Sequence, residues 1–166
     1  MPVLLQPTYF PSISHFVAMV QSDGLIFEMD DNFQKQTNRN RMYIYSPNGI
    51  QLLNIPVKHS KQAHQKTKEI RIENDFDWQK QHFKSLDAAY RSSPFFEYFE
   101  DTISPIFQKK HTFLLDLNFE AMEIVCKCLG IPFVYSTTSD FFNVSKDVVD
   151  LRLLANGKKD NSIFNP

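Results

Sequence analysis

The sequence predicts an α/β protein with a mostly parallel central sheet, and three observations support this fold class. Two short apolar runs, Val3–Leu5 and Leu25–Phe27, enclose a segment of helical periodicity, which is the pattern of a βαβ unit. A turn sequence at residues 46–49 separates two extended segments and indicates a β-hairpin insertion. Helical patterns dominate the second half of the chain, from Asp77 onward.

The length and the charge of the chain bound its organisation and its partners. A chain of 166 residues fits one domain spanning residues 1–166, in which folding buries about 70% of the extended chain's surface. Its 18 basic and 19 acidic residues give a net charge of -1, so we expect no general affinity for nucleic acid. From about residue 156 the composition is loop-like, and we expect a loop or an incomplete element there.

Three features favour the cytoplasm. No apolar run approaches the roughly 18 residues of a membrane span, and the N-terminus lacks the basic segment of a secretory signal. Cys126 and Cys128 lie two positions apart in an apolar helical segment, where they point in different directions. We therefore expect both cysteines to be reduced, with at least one in the core.

The elements of the first half follow from local patterns. Ser12 is placed to cap a helix that runs to about Gln21. A polar block at residues 30–41 then leads into the hairpin, whose Asn-Gly turn tolerates a positive φ. A basic loop at residues 59–68 and a short strand at residues 70–72 follow.

The second half contains three well-marked helices. The first begins after Asp77, and the second begins at Pro94 after a Ser93 cap, with a kink expected near Pro105. The third ends at Gly130 with a proline just beyond, a typical helix C-terminus. We expect a strand at residues 133–135 and a helix at residues 148–155.

The loop after the first strand is the first candidate for chemistry. In open α/β sheets, ligands bind beyond the carboxyl ends of the strands, which makes this loop a favoured position. Gln6 supplies an amide, Tyr9 a phenol, and His15 lies just inside the following helix, where its imidazole could face a phosphate. The alternative is a strand-to-helix loop stiffened by prolines, with His15 on a partly exposed face.

The segment from Glu28 to Arg41, which contains the polar block, is the second candidate. Lys35, Asn40 and Arg41 lie within seven residues of each other, a mixture that could clamp a phosphate or a carboxylate. The spacing does not fit a calcium-binding EF-hand loop. The alternative is a solvated surface loop, and composition alone does not separate the two interpretations.

The third candidate is His82, which shares a helix face with Trp78 and Ser85. It could serve as a general base near neutral pH, although a histidine among apolar neighbours is more often a hydrogen-bonded core residue. The chain has no glycine-rich nucleotide-binding motif and no nucleophile elbow. We assign no metal site and no cofactor.

Four stretches of the first hundred residues together resemble the WbqC-like protein family, in the family's order. They are residues 5–11 (Leu-Gln-Pro-Thr-Tyr-Phe-Pro), residues 32–41 (Asn-Phe-Gln-Lys-Gln-Thr-Asn-Arg-Asn-Arg), residues 55–57 (Ile-Pro-Val), and the helical region from Trp78 and His82 to residues 89–98 (Ala-Tyr-Arg-Ser-Ser-Pro-Phe-Phe-Glu-Tyr). This version is most similar to members from Bacteroidetes-type bacteria. Asn38 stands where an aromatic residue is commoner in the family. Members usually continue with an aromatic, apolar tail beyond this chain's end, so we expect this copy to be shortened at the C-terminus.

The resemblance implies a bacterial cytoplasmic transferase of surface-polysaccharide (O-antigen) biosynthesis, for example one that adds a glycyl group to a nucleotide-activated amino sugar. The implied small-molecule partner is the nucleotide-sugar or an acyl donor. The resemblance also extends the candidate site to the helical region that carries Ser85 and Ser93. The roles we assign are a proton acceptor (His15 or His82) and substrate-binding groups (Gln6, Tyr9, Lys35, Asn40, Arg41, Ser85 and Ser93), which we expect to converge on one cleft.

Two other functions stay open at this stage. A non-catalytic ligand-binding or protein-interaction module would use the basic loop and the hairpin for a partner, and homo-oligomerisation is compatible with either function. A nucleotidyltransferase-like protein ranks last, because the chain lacks the paired-histidine H-x-G-H sequence of that class.

Overall fold

The computed structural model describes residues 1–143 and 145–157. The strands are β1 (Val3–Leu5), β2 (Leu25–Phe27), β3 (Arg41–Ser46), β4 (Gly49–Asn54), β5 (Ser136–Thr137) and β6 (Val149–Asp150). The helices are α1 (Ile13–Gln21), α2 (Trp78–Tyr90), α3 (Pro94–Ile103), α4 (Pro105–Gln108) and α5 (Leu114–Leu129). Short 3₁₀ turns occupy Thr67–Glu69 and Arg152–Ala155. This is a mixed α/β fold with a helix-rich second half, as predicted.

The central sheet is parallel and has the strand order β5-β2-β1-β6. β1 pairs with β2 from Val3↔Leu25 to Leu5↔Phe27, and on its other side it pairs with β6. The chain therefore leaves β1 toward one edge of the sheet and returns to its opposite side much later. All four carboxyl ends lie on the same edge, with the change of direction between β1 and β6.

The predicted βαβ unit is confirmed. α1 begins after Ser12 and buries Ala18 and Met19 against the sheet residues Leu5 and Phe27. α5 completes this core with Met122 and Cys126. Cys126 is buried and Cys128 is partly exposed, and both are free thiols.

The hairpin insertion is also confirmed. β3 and β4 pair antiparallel up to Ser46↔Gly49, and Gly49 has a φ of 103°, a value that glycine adopts without steric cost. Met42, Ile44 and Leu53 point into a second core. This core is completed by α2, α4 and the first half of α5, so α5 joins the two cores.

Helix boundaries in the second half follow local signals closely. Pro94 opens α3 after Ser93, and a break at Ser104 separates α3 from α4. α5 ends at Gly130, whose left-handed φ of 67° closes the helix through hydrogen bonds to the carbonyls of Cys126 and Lys127.

Three sequence predictions of local structure were wrong. Residues 70–72 form only isolated bridges, Val57↔Ile72 and Arg71↔Phe113. The strand expected at residues 133–135 lies instead at Ser136–Thr137, because Phe133 and Tyr135 place their rings against Phe27.

The predicted helix at residues 148–155 is replaced by β6 and a 3₁₀ turn. The amide of Val149 donates to the Pro2 carbonyl and the amide of Leu151 to the Leu4 carbonyl. Pairing with the open edge of β1 thus outweighs local helix propensity, since it satisfies backbone groups that would otherwise lack partners. The prediction for the terminal segment lies outside the described residues from residue 158 onward.

Within the described ranges, no helix combines the length and the apolar character that crossing a membrane requires.

Candidate functional site

Polar side chains follow each strand at the carboxyl edge of the parallel sheet. Gln6 follows β1, Glu28 follows β2, Thr138 follows β5, and Arg152 lies two residues beyond β6. Because ligands of open α/β sheets bind where the strand order changes direction, the region between β1 and β6 is the favoured position for a site.

Glu28 is a fully buried carboxylate that ties this edge together. Its oxygens accept hydrogen bonds from the amides of Asp30 (2.9 Å) and Phe142 (3.0 Å) and from the hydroxyl of Thr138 (2.8 Å). Arg152 Nη1 donates a further hydrogen bond to Glu28, at 3.0 Å. Burial alone raises the pKa of Glu28, but these donors outweigh it and hold the pKa below its usual value.

Arg152 is held in a single orientation by several partners. Its Nε and Nη2 donate to the two carboxylate oxygens of Asp150, at 3.0 Å and 2.8 Å. Its Nη1 also donates to the Phe142 carbonyl, and its guanidinium lies 4.7 Å from the ring centroid of Phe141. Four of its five N–H groups are therefore engaged.

A second buried ion pair joins Asp31 to Arg39. Arg39 Nε and Nη2 lie 2.9 Å and 2.8 Å from Asp31 Oδ2, and Nη1 donates to Thr37. Burial raises the pKa of Asp31, and the charge of Arg39 only partly offsets that rise. The Thr67 hydroxyl also lowers this pKa, although Asp31 Oδ1 has no hydrogen bond of ordinary geometry.

Between these two ion pairs lies a cleft of about 360 Å³, which we name the sheet-edge cleft. Its polar lining includes Gln6, Asp31, Asn32, Gln34, Arg39 and Arg152. Gln6 is 3% exposed and its Oε1 has no hydrogen-bond partner. An unsatisfied buried oxygen at the wall of a cleft marks a position where a ligand can donate a hydrogen bond.

A larger cleft of about 770 Å³, the hairpin cleft, lies beside the start of β3 and the end of β4. Three cations line it, Lys35, Arg41 and Lys58, and Phe33 and Ile55 belong to its apolar wall. Asn32 lines both clefts, so the two share a wall.

Two of the three described non-glycine residues with a positive φ line the hairpin cleft; the third is Phe10. The two are Gln36 and His64, and both have a left-handed φ, 61° and 58° respectively. This conformation is unfavourable for residues other than glycine and clusters at functional sites in proteins.

Four of the nine predicted site residues line a cleft. Lys35, Asn40 and Arg41 line the hairpin cleft, and Gln6 lines the sheet-edge cleft. Asn40 is held by hydrogen bonds from its Nδ2 to the Ile55 carbonyl and to Asn54.

The other five predicted residues line neither of these two clefts. Tyr9 and His15 are buried. Ser85 accepts a hydrogen bond from Gln51 Nε2, and Ser93 lies at the start of α3. The Nδ1 of His15 lies 3.1 Å from the Ser12 hydroxyl.

His82 is a core residue in this structure. Its Nε2 lies 3.1 Å from the Asn54 carbonyl, and its Nδ1 lies 2.9 Å from the Tyr9 hydroxyl. Burial lowers the pKa of His82 to about 4, so the ring is neutral at pH 7. Both nitrogens are used by the fold itself, which leaves His82 outside the function proposed below.

Sequence reasoning included Glu28, Asp31 and Arg39 in the second candidate segment without assigning a role to any of them, and it missed Arg152. Glu28 could have been singled out, because it is the first polar residue after a buried strand, the signal that identified Gln6. Arg152 could not, because β6 has only two residues and carries no recognisable strand pattern. Among residues 1–143 and 145–157, no cluster of three or more His, Cys, Asp or Glu side chains could hold a metal ion.

Comparisons with known proteins agree with the resemblance noted in the sequence. The sequence model of the WbqC-like protein family matches residues 6–163. The chain is 30% identical over 139 residues to the uncharacterized protein Rv1507c of Mycobacterium tuberculosis, an alignment that covers 83% of this chain. The chain spans about 60% of the length of that relative. No solved structure matches the chain.

Proposed function

Because this chain belongs to the WbqC-like protein family, we propose that it is a bacterial transferase that N-acylates a nucleotide-linked amino sugar for surface polysaccharide. The observation that carries the proposal is the grouping of Lys35, Arg41 and Lys58 on the hairpin cleft. None of the three forms an ion pair with another described residue, so their charges are available to a ligand.

An anionic ligand with an apolar portion fits the hairpin cleft best. Lysine supplies a point charge and arginine a planar fork, and both are common phosphate-binding groups. The apolar wall at Phe33 and Ile55 suits a nucleoside, while the cations suit its phosphates. Asn40 Oδ1 is buried without a hydrogen-bond partner and can accept from the same ligand.

Group transfer belongs at the sheet-edge cleft, which shares Asn32 with the nucleotide site. The acyl donor is an activated acyl group, a thioester or an acyl phosphate. The amine nitrogen of the sugar attacks the acyl carbon, a C–N bond forms, and the bond to the thiolate or phosphate leaving group breaks. The nitrogen loses one proton to a base, and the amide of Gln6 orients the reacting groups.

The same proposal places the protein in the cytoplasm. The substrates of the proposed reaction, nucleotide-linked sugars and activated acyl groups, are soluble metabolites of the cytoplasm. Cys126 and Cys128, both free, are compatible with a reducing compartment.

Ligand-induced thermal stabilisation tests the proposal. Purified protein is melted with millimolar nucleotide-sugars, nucleoside diphosphates, inorganic phosphate or neutral sugars. Because a ligand that binds only the folded state raises the melting temperature, we expect a rise with at least one nucleotide-sugar and none with neutral sugars. A melting temperature unchanged by every nucleotide-sugar would contradict the proposal.

The exposed face of the hairpin favours a second candidate function, non-catalytic assembly with a second copy of the chain. Tyr43 pairs with Leu52 and Tyr45 with Ile50, and the four side chains form an uncharged exposed array. Burying this array in a dimer would remove about 500 Å² of accessible surface from solvent per copy, which is near the lower limit for a specific dimer. Because the array lacks charge, two copies can face each other without repulsion.

Sedimentation at several protein concentrations tests this second function. We expect a dimer that Ile50→Lys converts to a monomer, since a buried unpaired ammonium is costly. Tyr98→Lys is the matched control, because Tyr98 on α3 is 78% exposed and Ile50 is 77% exposed. A wild-type protein that stays monomeric throughout would exclude this function.

A further inference from the structure

We infer that the sheet-edge cleft binds an uncharged sugar ring, which the side-chain amides of its lining hold by hydrogen bonds to the ring hydroxyls. The inference deepens the proposed function, on which it rests only for the identity of the group attached to the ring. A pyranose that carries neither an amine nor a phosphate is therefore the ligand that tests it.

The charged side chains of this cleft are already paired. Arg39 Nε and Nη2 lie 2.9 Å and 2.8 Å from Asp31 Oδ2. Arg152 contacts Glu28 at 3.0 Å and Asp150 at 2.8 Å. Because each guanidinium has a carboxylate partner, a charged ligand group would lose its water here without gaining an unpaired opposite charge. The cleft therefore favours a ligand group without a charge.

The hydrogen-bonding groups that remain on the lining are carboxamides. There are four of them, Gln6, Asn32, Gln34 and Asn156. Within the described part of the chain, none of these four side chains forms a hydrogen bond with another residue. A carboxamide both donates and accepts hydrogen bonds, and so does a hydroxyl group. A ring with several hydroxyls thus matches this lining group for group.

Gln6 is the most deeply placed of the four amides. It is 3% exposed, and its Oε1 is buried without a partner. Because neither atom of the amide is held by a described residue, a half turn about its last torsion presents either the oxygen or the NH₂ to the cleft without losing a hydrogen bond. A buried polar group that the fold leaves unsatisfied at the wall of a cleft indicates a ligand that satisfies it.

The apolar part of the lining consists of Phe141 and Leu153. The ring of Phe141 is half exposed and lies 4.7 Å from the guanidinium carbon of Arg152. The C–H groups of a pyranose form an apolar face, which packs on such side chains while the hydroxyls bind the amides. The volume of about 360 Å³ is small for a ligand site, so it suits a single ring better than a whole nucleotide.

The neighbouring hairpin cleft has the complementary character. Its cations Lys35, Arg41 and Lys58 suit phosphates, and Asn32 lines both clefts. A sugar ring that is joined to a phosphate can therefore occupy both clefts at once. This arrangement assigns the ring to the sheet-edge cleft and the phosphate to the hairpin cleft.

Titration of ¹⁵N-labelled protein with methyl α-pyranosides of glucose, galactose and mannose tests the inference. A few hydrogen bonds to one ring give a Kd on the order of 10 mM, so each probe is added to about 100 mM. Binding this weak leaves the melting temperature almost unchanged at millimolar concentration. We expect at least one glycoside to shift the side-chain NH₂ signals of Gln6, which are identified by their absence from Gln6→Leu.

Substitutions then measure the contribution of the amides. Gln6→Leu should weaken binding of that glycoside about fivefold, as followed by the backbone amide of Leu153, because the hydroxyls lose their buried partner. Gln21→Leu is the matched control, since it removes an exposed carboxamide at the end of α1 and should bind like the wild type. If Gln6→Leu fails to fold, as judged by circular dichroism, Asn156→Ala at the partly exposed rim should weaken binding several-fold.

The outcomes separate this inference from the proposed function. Gln6 signals that none of the three glycosides moves would overturn the inference, since water alone would then satisfy the amide. Undiminished affinity in both Gln6→Leu and Asn156→Ala would also overturn it. Either result leaves the proposed function standing if nucleotide-sugars stabilise the protein. Glycoside binding at Gln6 in a protein that no nucleotide-sugar stabilises would support the inference and contradict the proposed function.

Discussion

The hydroxyl of Tyr9 donates a hydrogen bond to Nδ1 of His82, across 2.9 Å. The direction follows from the other side of the ring, where Nε2 faces the Asn54 carbonyl and must carry the proton. The contact joins the loop after β1 to α2 and to the end of β4. His82, predicted as a possible base, thus connects three elements of the fold.

Tyr9→Phe tests the structural importance of this contact. The substitution keeps the ring but leaves His82 Nδ1 without a donor in the core, so the free energy of unfolding should fall by about 1–3 kcal/mol. Urea unfolding measures the change. Tyr98→Phe is the matched control, because the exposed Tyr98 should lose almost nothing; equal effects at the two positions would argue against a buried Tyr9–His82 bond.

The depressed pKa of His82 predicts a loss of stability in acid. The folded protein holds this pKa near about 4, whereas histidine in an unfolded chain titrates near about 6.5. At a pH above the pKa of the unfolded state, the ring is neutral in both states, and the folded protein has its full stability with respect to His82. As the pH falls from about 6.5 to about 4 the unfolded chain takes up a proton that the folded state refuses, which costs up to about 3 kcal/mol.

Comparing pH profiles of stability isolates this contribution, because other titrating groups are common to all the proteins. His82→Gln should be less stable at neutral pH but should lose less on going from pH 7 to pH 4. His59→Gln, in the exposed basic loop, should follow the wild-type profile. Parallel profiles for wild type and His82→Gln would show that His82 is not buried and neutral.

Lys35→Ala and Arg41→Ala test the anion site of the hairpin cleft. Each removes one of the cations that line it, so the affinity for a phosphate-bearing ligand should fall about tenfold and depend less on salt. Calorimetric titration with whichever nucleotide-sugar stabilises the protein gives both quantities. Lys84→Ala, an exposed lysine on α2 away from this cleft, should bind normally.

Glu28→Gln tests the anchor at the carboxyl edge of the sheet. The substitution removes a fully buried charge that Arg152 compensates, and we expect a loss of about 3 kcal/mol in the free energy of unfolding. Arg152 would retain its ion pair with Asp150, which limits the loss of stability. Glu123→Gln changes an exposed carboxylate on α5 and should leave stability unaltered; a similar result at Glu28 would refute its role as an anchor.

Elements with strong local signals could be predicted closely. The start of α1 after Ser12, the start of α3 at Pro94 and the end of α5 at Gly130 each depend on the conformation of one residue and its nearest neighbours, so their positions are visible in the sequence. The hairpin turn belongs to the same group, because Gly49 itself supplies the positive φ.

The site was less predictable because its parts come together from distant positions. Gln6 was identified by its place after a strand, and Lys35, Asn40 and Arg41 by the clustering of cations and amides; all four line the two clefts. Arg152 pairs with Glu28 across 124 positions of sequence, a contact that no local pattern records.

By itself, the sequence determined the fold class, the family and most helix boundaries, since periodicity and capping depend on interactions within a few residues. Only the tertiary structure decided which polar groups are buried and what satisfies them. It placed His82 in the core beside Tyr9, and it left the side-chain oxygen of Gln6 without a hydrogen-bond partner at the edge of the sheet. The reason is physical: desolvation and charge pairing depend on every element packed around a group, and those elements meet only in the folded chain.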